Sequence, residues 1–250
     1  MTARLILLLL VFHFTNSTSQ SRKDKAELLG DNFEWSDGSI LLSSGEELKG
    51  LIKFNDRNGV LAYHDGDNSK PFSPRNVSGF EFFDERLQQQ RVFYSLEDED
   101  PVTNAKRPLF FELLRDYKTF AILLRTDRTE MIEKIATTPG IMSGGAPSTP
   151  TIRNSSIELS QSQTVCILNS DGEIRHYFKC ITIEDGRKSW STGEDLKTKN
   201  KMIDEDLLEE YIPEPVYAKL VSYAKENKLN FKELPDFKKL LEYCDTLIAD

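Results

Sequence analysis

Leu48-Lys49-Gly50-Leu51-Ile52-Lys53-Phe54 is entered from Ser44-Gly45 and left through Asn58-Gly59. Val60-Leu61-Ala62-Tyr63-His64 follows at once, and then a second turn, Asp65-Gly66-Asp67-Asn68. Short runs rich in Phe, Ile, Val and Tyr, bounded by Gly, Asn and Asp, read as strands joined by tight turns. The pattern continues outward through Gly79 to Phe83, Val92 to Leu96, Leu109 to Leu114 and Thr119 to Arg125. Together these runs predict an antiparallel β meander between Phe33 and Ala136. Its apolar face has to be covered by a sandwich, by closure into a barrel, or by packing against helices. The pattern leaves all three open. Ser36-Asp37-Gly38, Ser44-Gly45, Ser170-Asp171-Gly172 and Asp185-Gly186 read as hairpin turns, too irregularly spaced for a repeat architecture.

Thr137 to Pro150 is rich in Gly, Pro and small polar residues and reads as a linker or loop. It divides the expected organisation into a β-rich domain at 28–136, the linker at 137–150, and a second part at 151–250. That second part opens with a hairpin of Thr164–Leu168 and Glu173–Ile183 around Asn169-Ser170-Asp171-Gly172. With Ser170 and Asp171 at the centre of the turn, Cys166 faces Arg175. With Asp171 and Gly172 there, it faces Tyr177. Either register points Cys166 and Cys180 to opposite faces, which disfavours a disulfide. With Cys244 the count is three, so one thiol at least stays unpaired within the chain.

From Met202 the period becomes helical. Leu207, Leu208 and Tyr211 predict a short helix ending before Pro213, and a second begins near Pro215, where the fixed φ of proline suits a first turn. Phe237, Leu240, Leu241, Cys244, Leu247 and Ile248 form one apolar stripe, expected to pack as core. The fold class expected is therefore α+β, mainly an antiparallel meander, sandwich or barrel-like, with a C-terminal helical segment.

Residues 1–20 read as a signal peptide. Met1 to Arg4 carry one positive charge, and Leu5 to Phe14 are apolar except for His13. Ten residues span about 15 Å as a helix, half of the roughly 30 Å hydrocarbon core, so the stretch fits an export h-region better than an anchor. Cleavage near Gln20 or Ser21 is expected. The mature chain would then lack a transmembrane anchor and be periplasmic, cell-surface or secreted. The net charge is −9, from 32 basic and 41 acidic residues. So acidic a chain is repelled by phosphate backbones, and no basic cluster alternates with aromatics, so nucleic acid is not an expected partner.

Chemistry-bearing patterns are few. His64 and His176 are the only histidines after His13, and each falls at or within a predicted strand. The chain has no zinc or hydrolase motif of the His-Glu-x-x-His, Cys-x-x-Cys or Gly-x-Ser-x-Gly types, so no catalytic or cofactor-binding residue is assigned. Asp65 and Asp67 offer closely spaced oxygens of the kind calcium prefers, without the later Glu of an EF-hand. A solvated turn is the favoured reading, with calcium as the alternative. Glu97-Asp98-Glu99-Asp100 reads as a hydrated loop. Asn76-Val77-Ser78 and Asn154-Ser155-Ser156 match the N-glycosylation acceptor pattern.

Three elements carry a resemblance: Gly45-Glu46-Glu47-Leu48-Lys49-Gly50-Leu51-Ile52, Pro74-Arg75-Asn76-Val77-Ser78-Gly79-Phe80 and Phe110-Phe111-Glu112-Leu113-Leu114. With the ending Leu240-Leu241-Glu242-Tyr243-Cys244, they make the segment from Gly38 to Arg125 and the C-terminal helices resemble a family of uncharacterised exported β-rich proteins of Bacteroidetes-type bacteria. That family has no established activity to carry over. The resemblance implies an envelope location. The function expected is a non-enzymatic binding or scaffold role with an envelope protein or glycan partner. The alternatives are an extracytoplasmic hydrolase, its site built from scattered acids, His64 or His176, and a calcium-stabilised structural domain.

Overall fold

In the computed structural model, which describes residues 34–55, 59–85, 87–99, 104–127, 130–138, 151–185 and 197–248, the first turn-bounded runs form β1 (Ser36–Leu42), β2 (Glu47–Asn55), β3 (Val60–His64) and β4 (Ser69–Phe72). A second series follows as β5 (Val77–Asp84), β6 (Gln89–Glu99), β7 (Lys106–Asp116) and β8 (Phe120–Thr126). The remaining elements are β9 (Glu130–Thr138), β10 (Thr151–Asn169), β11 (Ile174–Asp185), β12 (Lys197–Met202), α1 (Leu207–Tyr211), α2 (Glu214–Asn227) and α3 (Leu234–Ile248). The fold is a mainly antiparallel sheet with a C-terminal helical segment, as the periodicity predicts, and the sheet is not closed. Two compact units comprise it: the chain up to Arg125 with Val165–His176, and Thr126–Thr164 with Tyr177 onward.

In the first unit the strand order is β4-β3-β2-β1-β5-β6-β7-β8-β10. Two meanders thus meet at the antiparallel β1–β5 pair, where Ile40 stands opposite Phe80. β4 and β5 are consecutive in sequence but four strand spacings apart in the order, about 19 Å on a flat sheet. The link Ser73–Asn76 is a tight turn with an Asn76 N–H to Ser73 carbonyl bond and cannot bridge that distance. The sheet therefore curls. The curl brings the turn against β1 and β6: Ser43 N–H donates to the Asn76 carbonyl, and Ser95 Oγ to the Pro74 carbonyl.

The concave face holds Ile40, Ile52, Phe54, Leu61, Tyr63, Val77, Phe80, Phe82, Phe93 and Phe110. Phe80 and Phe93 stack with centroids 4.5 Å apart, and Phe54 tilts against both at 4.9 and 4.7 Å. A register shift between Leu41 and Leu42 lets Val77 and Phe80 both point inward although they differ in parity. The opposite face of β6, β7, β8 and β10 carries a second cluster of Phe111, Leu123 and Cys166. Phe110, Phe111 and Glu112 are accordingly all buried, because this part of β7 is covered on both sides.

Four strands depart from the sequence expectation. Ser36-Asp37-Gly38, expected as a turn, lies inside β1. Gly38 is needed there for close approach, since a Cβ would collide with the Glu81 carbonyl oxygen. β4 was masked by Pro71, which fits because this is an edge strand. β9 and β12 lack a clear apolar alternation. Neither of the two hairpin registers considered for β10–β11 occurs: Asn169 N–H donates to the Glu173 carbonyl around a three-residue loop. Gly172, at φ +83°, supplies the left-handed residue that loop requires.

In the second unit β9 pairs with β10, and β11 with β12. Thr138 is opposite Thr151, so the Gly/Pro-rich stretch connects two paired strands. Its residues 139–150 lie outside the described residues, and the units do not divide there. The helices follow the expected starts, with Pro215 and Pro235 in first turns. In α3, Phe237, Leu240, Leu241 and Cys244 are buried, whereas Ile248 is exposed, a departure from the expected stripe. Phe237 packs edge-on against Phe178 at 5.2 Å, which seats the helix on β11. No helix among the described residues is long and apolar enough to cross a membrane.

Candidate functional site

Phe80, Phe82 and Asp84 occupy alternate positions of β5, and Arg91 and Phe93 alternate positions of β6, so all five face the concave core. Glu112 joins them from β7, opposite Phe93 in the ladder. The Arg91 guanidinium donates to Glu112 twice, Nε to Oε1 at 2.9 Å and Nη2 to Oε2 at 2.7 Å, and through Nη1 to Asp84 Oδ2 at 3.4 Å. Asp84 also accepts the Leu87 N–H, which fixes the β5–β6 turn. The guanidinium carbon lies 4.9 Å from the Phe93 ring centre. With side chains only 8, 5 and 9% exposed for Arg91, Asp84 and Glu112, this is a buried ion cluster at the end of an aromatic core.

Beside it opens a cavity of about 20 Å³ lined by Glu34, Ser36, Phe54, Phe82, Asp84, Glu85 and Arg91. That volume accommodates about one water molecule. The signal for this cluster is present in the sequence as a charge in the inward phase of three consecutive strands. Strand registers are needed to read it.

A second cluster lies on the other face of the same unit. Asp98 accepts hydrogen bonds from Arg125 Nη1 and, at 3.1 Å, pairs with His176 Nε2. Burial pushes the Asp98 carboxyl up, but the His176 hydrogen bond and the Arg125 charge outweigh it and hold the group below the ordinary carboxylate value. This corrects the reading of Glu97–Asp100 as a hydrated loop: Glu97, Asp98 and Glu99 belong to β6, and Asp98 is 6% exposed. Asp98 points inward because Leu96, two residues before it, packs on the second core.

The other residues singled out in the sequence have partners of their own. His64 ends β3, with Nδ1 accepting the Gly66 N–H at 2.8 Å and its ring edge-on to Trp35 at 5.6 Å. Asp65 Oδ1 accepts the Asp67 and Asn68 N–H groups at 3.0 and 2.9 Å, which lowers its carboxyl below the usual range. Its oxygens close the turn, with Lys70 at 3.9 Å. Asp67 is exposed in the same turn. Asn76 accepts from Ser73 Oγ in the β4–β5 link. Asn154 lies in β10.

The three cysteines are buried and form no disulfide. Cys166 packs with Phe111 and Leu123, while Cys180 donates to the Lys232 carbonyl at 3.5 Å. Among the described residues no group of three or more His, Cys, Asp or Glu is arranged to hold a metal ion. No known protein family, curated protein or solved structure matches the chain.

Proposed function

We propose that the protein is an exported binding or scaffold module of the cell envelope and not an enzyme. One observation carries this reading: the ionisable side chains best placed for chemistry are engaged with one another. Arg91 holds Glu112 and Asp84, Asp98 holds Arg125 and His176, and Asp65 holds its own turn. A general acid or base has to face a substrate proton within hydrogen-bond reach. These groups tie strands and turns together. Export is supported by the n-region and h-region from Met1 to Phe14, and the resemblance to exported envelope proteins agrees with it. The partner is an envelope protein or glycan, in the periplasm, at the cell surface or in the medium.

The test combines fractionation of the native host with a membrane-impermeant lysine crosslinker applied to intact cells. Discrete adducts are expected on protein whose N-terminus lies near Gln20 or Ser21. Cytoplasmic protein retaining Met1 overturns the reading. A second reading, an extracytoplasmic hydrolase, is favoured by the His176–Asp98 pair, since a carboxylate orients a histidine base in this way. Hydrolysis of an isolated envelope polymer, abolished by His176→Asn at unchanged melting temperature, would establish that second reading.

A further inference from the structure

β12 reads Lys197-Thr198-Lys199-Asn200-Lys201-Met202. It is the edge strand of the second unit, paired only with β11 among the described strands. Lys199 stands opposite Ile181 and Lys201 opposite Lys179. Side chains directly opposed on one face interact, and like charges there are destabilising. A lysine pair across a ladder in a chain of net charge −9 is therefore not explained by the stability of the sheet. Lys179 is relieved by Asp127 at 3.6 Å. Lys199 and Lys201 are exposed, and neither forms an ion pair with a residue whose side chain is described. This face already seats one carboxylate and carries charge for more.

The backbone adds direction. Ile203 N–H donates to the Tyr177 carbonyl, so the pairs Lys201–Lys179 and Lys199–Ile181, two and four residues further along, are the hydrogen-bonded ones. The N–H and C=O groups of Thr198, Asn200 and Met202 consequently point away from β11, toward a side on which no described strand lies. A strand added there would bond to these three residues. Its residues facing Lys199 and Lys201 would occupy non-hydrogen-bonded positions, where Cα atoms approach to about 4.5 Å and side chains are closest.

We propose that β12 is a strand-addition site for an extended peptide with acidic residues at alternate positions. Only a polypeptide backbone satisfies an outward row of alternating donors and acceptors, and the lysines set the sign of its side chains. A second copy of β12 is excluded as the occupant, because antiparallel pairing would set lysine against lysine. The inference names a partner class for the binding role proposed above and rests on that role.

The experiment uses the full mature chain and a synthetic decapeptide alternating Glu with Val, read by fluorescence anisotropy. Binding is expected that weakens with added salt. Lys199→Glu with Lys201→Glu should lower affinity about tenfold or more and create binding to the matching Lys-Val peptide. Thr198→Pro removes an outward N–H without touching the β11 ladder. It should abolish binding while circular dichroism and melting temperature stay at wild type.

Lysines that only guard the edge against aggregation would leave the peptide unbound to folded protein, and that outcome overturns the proposal. Equal binding of a peptide N-methylated at alternate residues, or of polyphosphate, also overturns it in favour of a plain anion patch. Retention of the in-cell crosslinks by the Lys199→Glu/Lys201→Glu variant would remove this edge yet leave the wider binding role standing.

Discussion

Arg91 and Glu112 are joined by two parallel hydrogen bonds although the ladder does not set them opposite one another. Glu112 faces Phe93, so the guanidinium reaches diagonally past that ring to find its carboxylate. The pair is held in an apolar setting, with Phe82 and Phe93 along the guanidinium face.

Breaking this cluster from one side should cost far more than replacing it. Arg91→Ala strands Glu112 and Asp84 as buried charges, and loss of one partner of a buried pair costs about 3–5 kcal/mol. Arg91→Met with Glu112→Leu and Asp84→Asn leaves no charge behind and should come within roughly 1–2 kcal/mol of wild type, or exceed it. Urea unfolding of the two variants measures the difference. A single variant no worse than the triple one would show that the cluster is more hydrated than its burial implies.

Asp98 should make the fold acid-sensitive in a defined direction. Its carboxyl is lowered in the folded state by His176 and Arg125 against the opposing effect of burial. A lowered folded value means that the contribution is fully present above the unfolded value of about 3.9 and is lost as pH falls through the folded value. Thermal melts of wild type and Asp98→Asn should differ clearly at pH 7 and converge as pH falls through the lowered folded value of Asp98. A gap that stays constant down to pH 2 would remove the ion pair as its cause.

The α3 face is graded by burial, and the variants should follow it. Phe237 and Leu240 are fully buried, so each change to Ala is expected to cost about 2–5 kcal/mol. Ile248, 42% exposed, should tolerate Ala with a change within roughly 0.5–1 kcal/mol. If Leu240→Ala melts with the wild type, the helix is a detachable appendage.

Gly38→Ala is the smallest substitution expected to damage the junction of the two meanders. The added methyl meets the Glu81 backbone carbonyl, which cannot step aside without opening the β1–β5 pair. Overpacking of this kind costs about 1–3 kcal/mol. Hydrogen exchange should show the Ser39 and Glu81 amides, which face each other across that pair, losing protection first.

The thiols should be silent in the folded protein. Burial raises the Cys180 thiol above its ordinary value, and Cys166 and Cys244 are fully buried. Ellman's reagent at pH 8 should therefore titrate them only with denaturant present. Rapid reaction of one thiol under native conditions would point to local opening at its strand or helix.

The sequence made the strands legible wherever apolar alternation met a glycine or asparagine turn, which is why β2, β3 and β5 to β8 fall where expected. It hid β1 and β4, because Asp37-Gly38 and Pro71 carry turn signals that an interior close approach and an edge position respectively accommodate. The helical period was legible for the same reason as the strands: a single apolar stripe. Neither ion cluster was. Asp84, Arg91 and Glu112 are separated in sequence and meet only through two ladder registers, and Asp98 looked like one more surface acid until Arg125 and His176 came to it. Ile248 shows the opposite error, a residue with the right spacing lying past the end of the surface it was expected to cover.

The pairing of β1 with β5 also sets an order of events. As the chain is made, Ile40 appears long before Phe80, its partner across the ladder. At about 5–20 residues per second, one side of β1 stays open for roughly two to eight seconds. The wait is longer at the far end of the same unit, where Asp98 and Arg125 can meet early but His176 arrives only after Thr126–Thr164 has been synthesised. The N-terminal unit is thus the first to start and among the last to finish. A chaperone that shields nascent β1, or a pore that delays its release, would act on this interval.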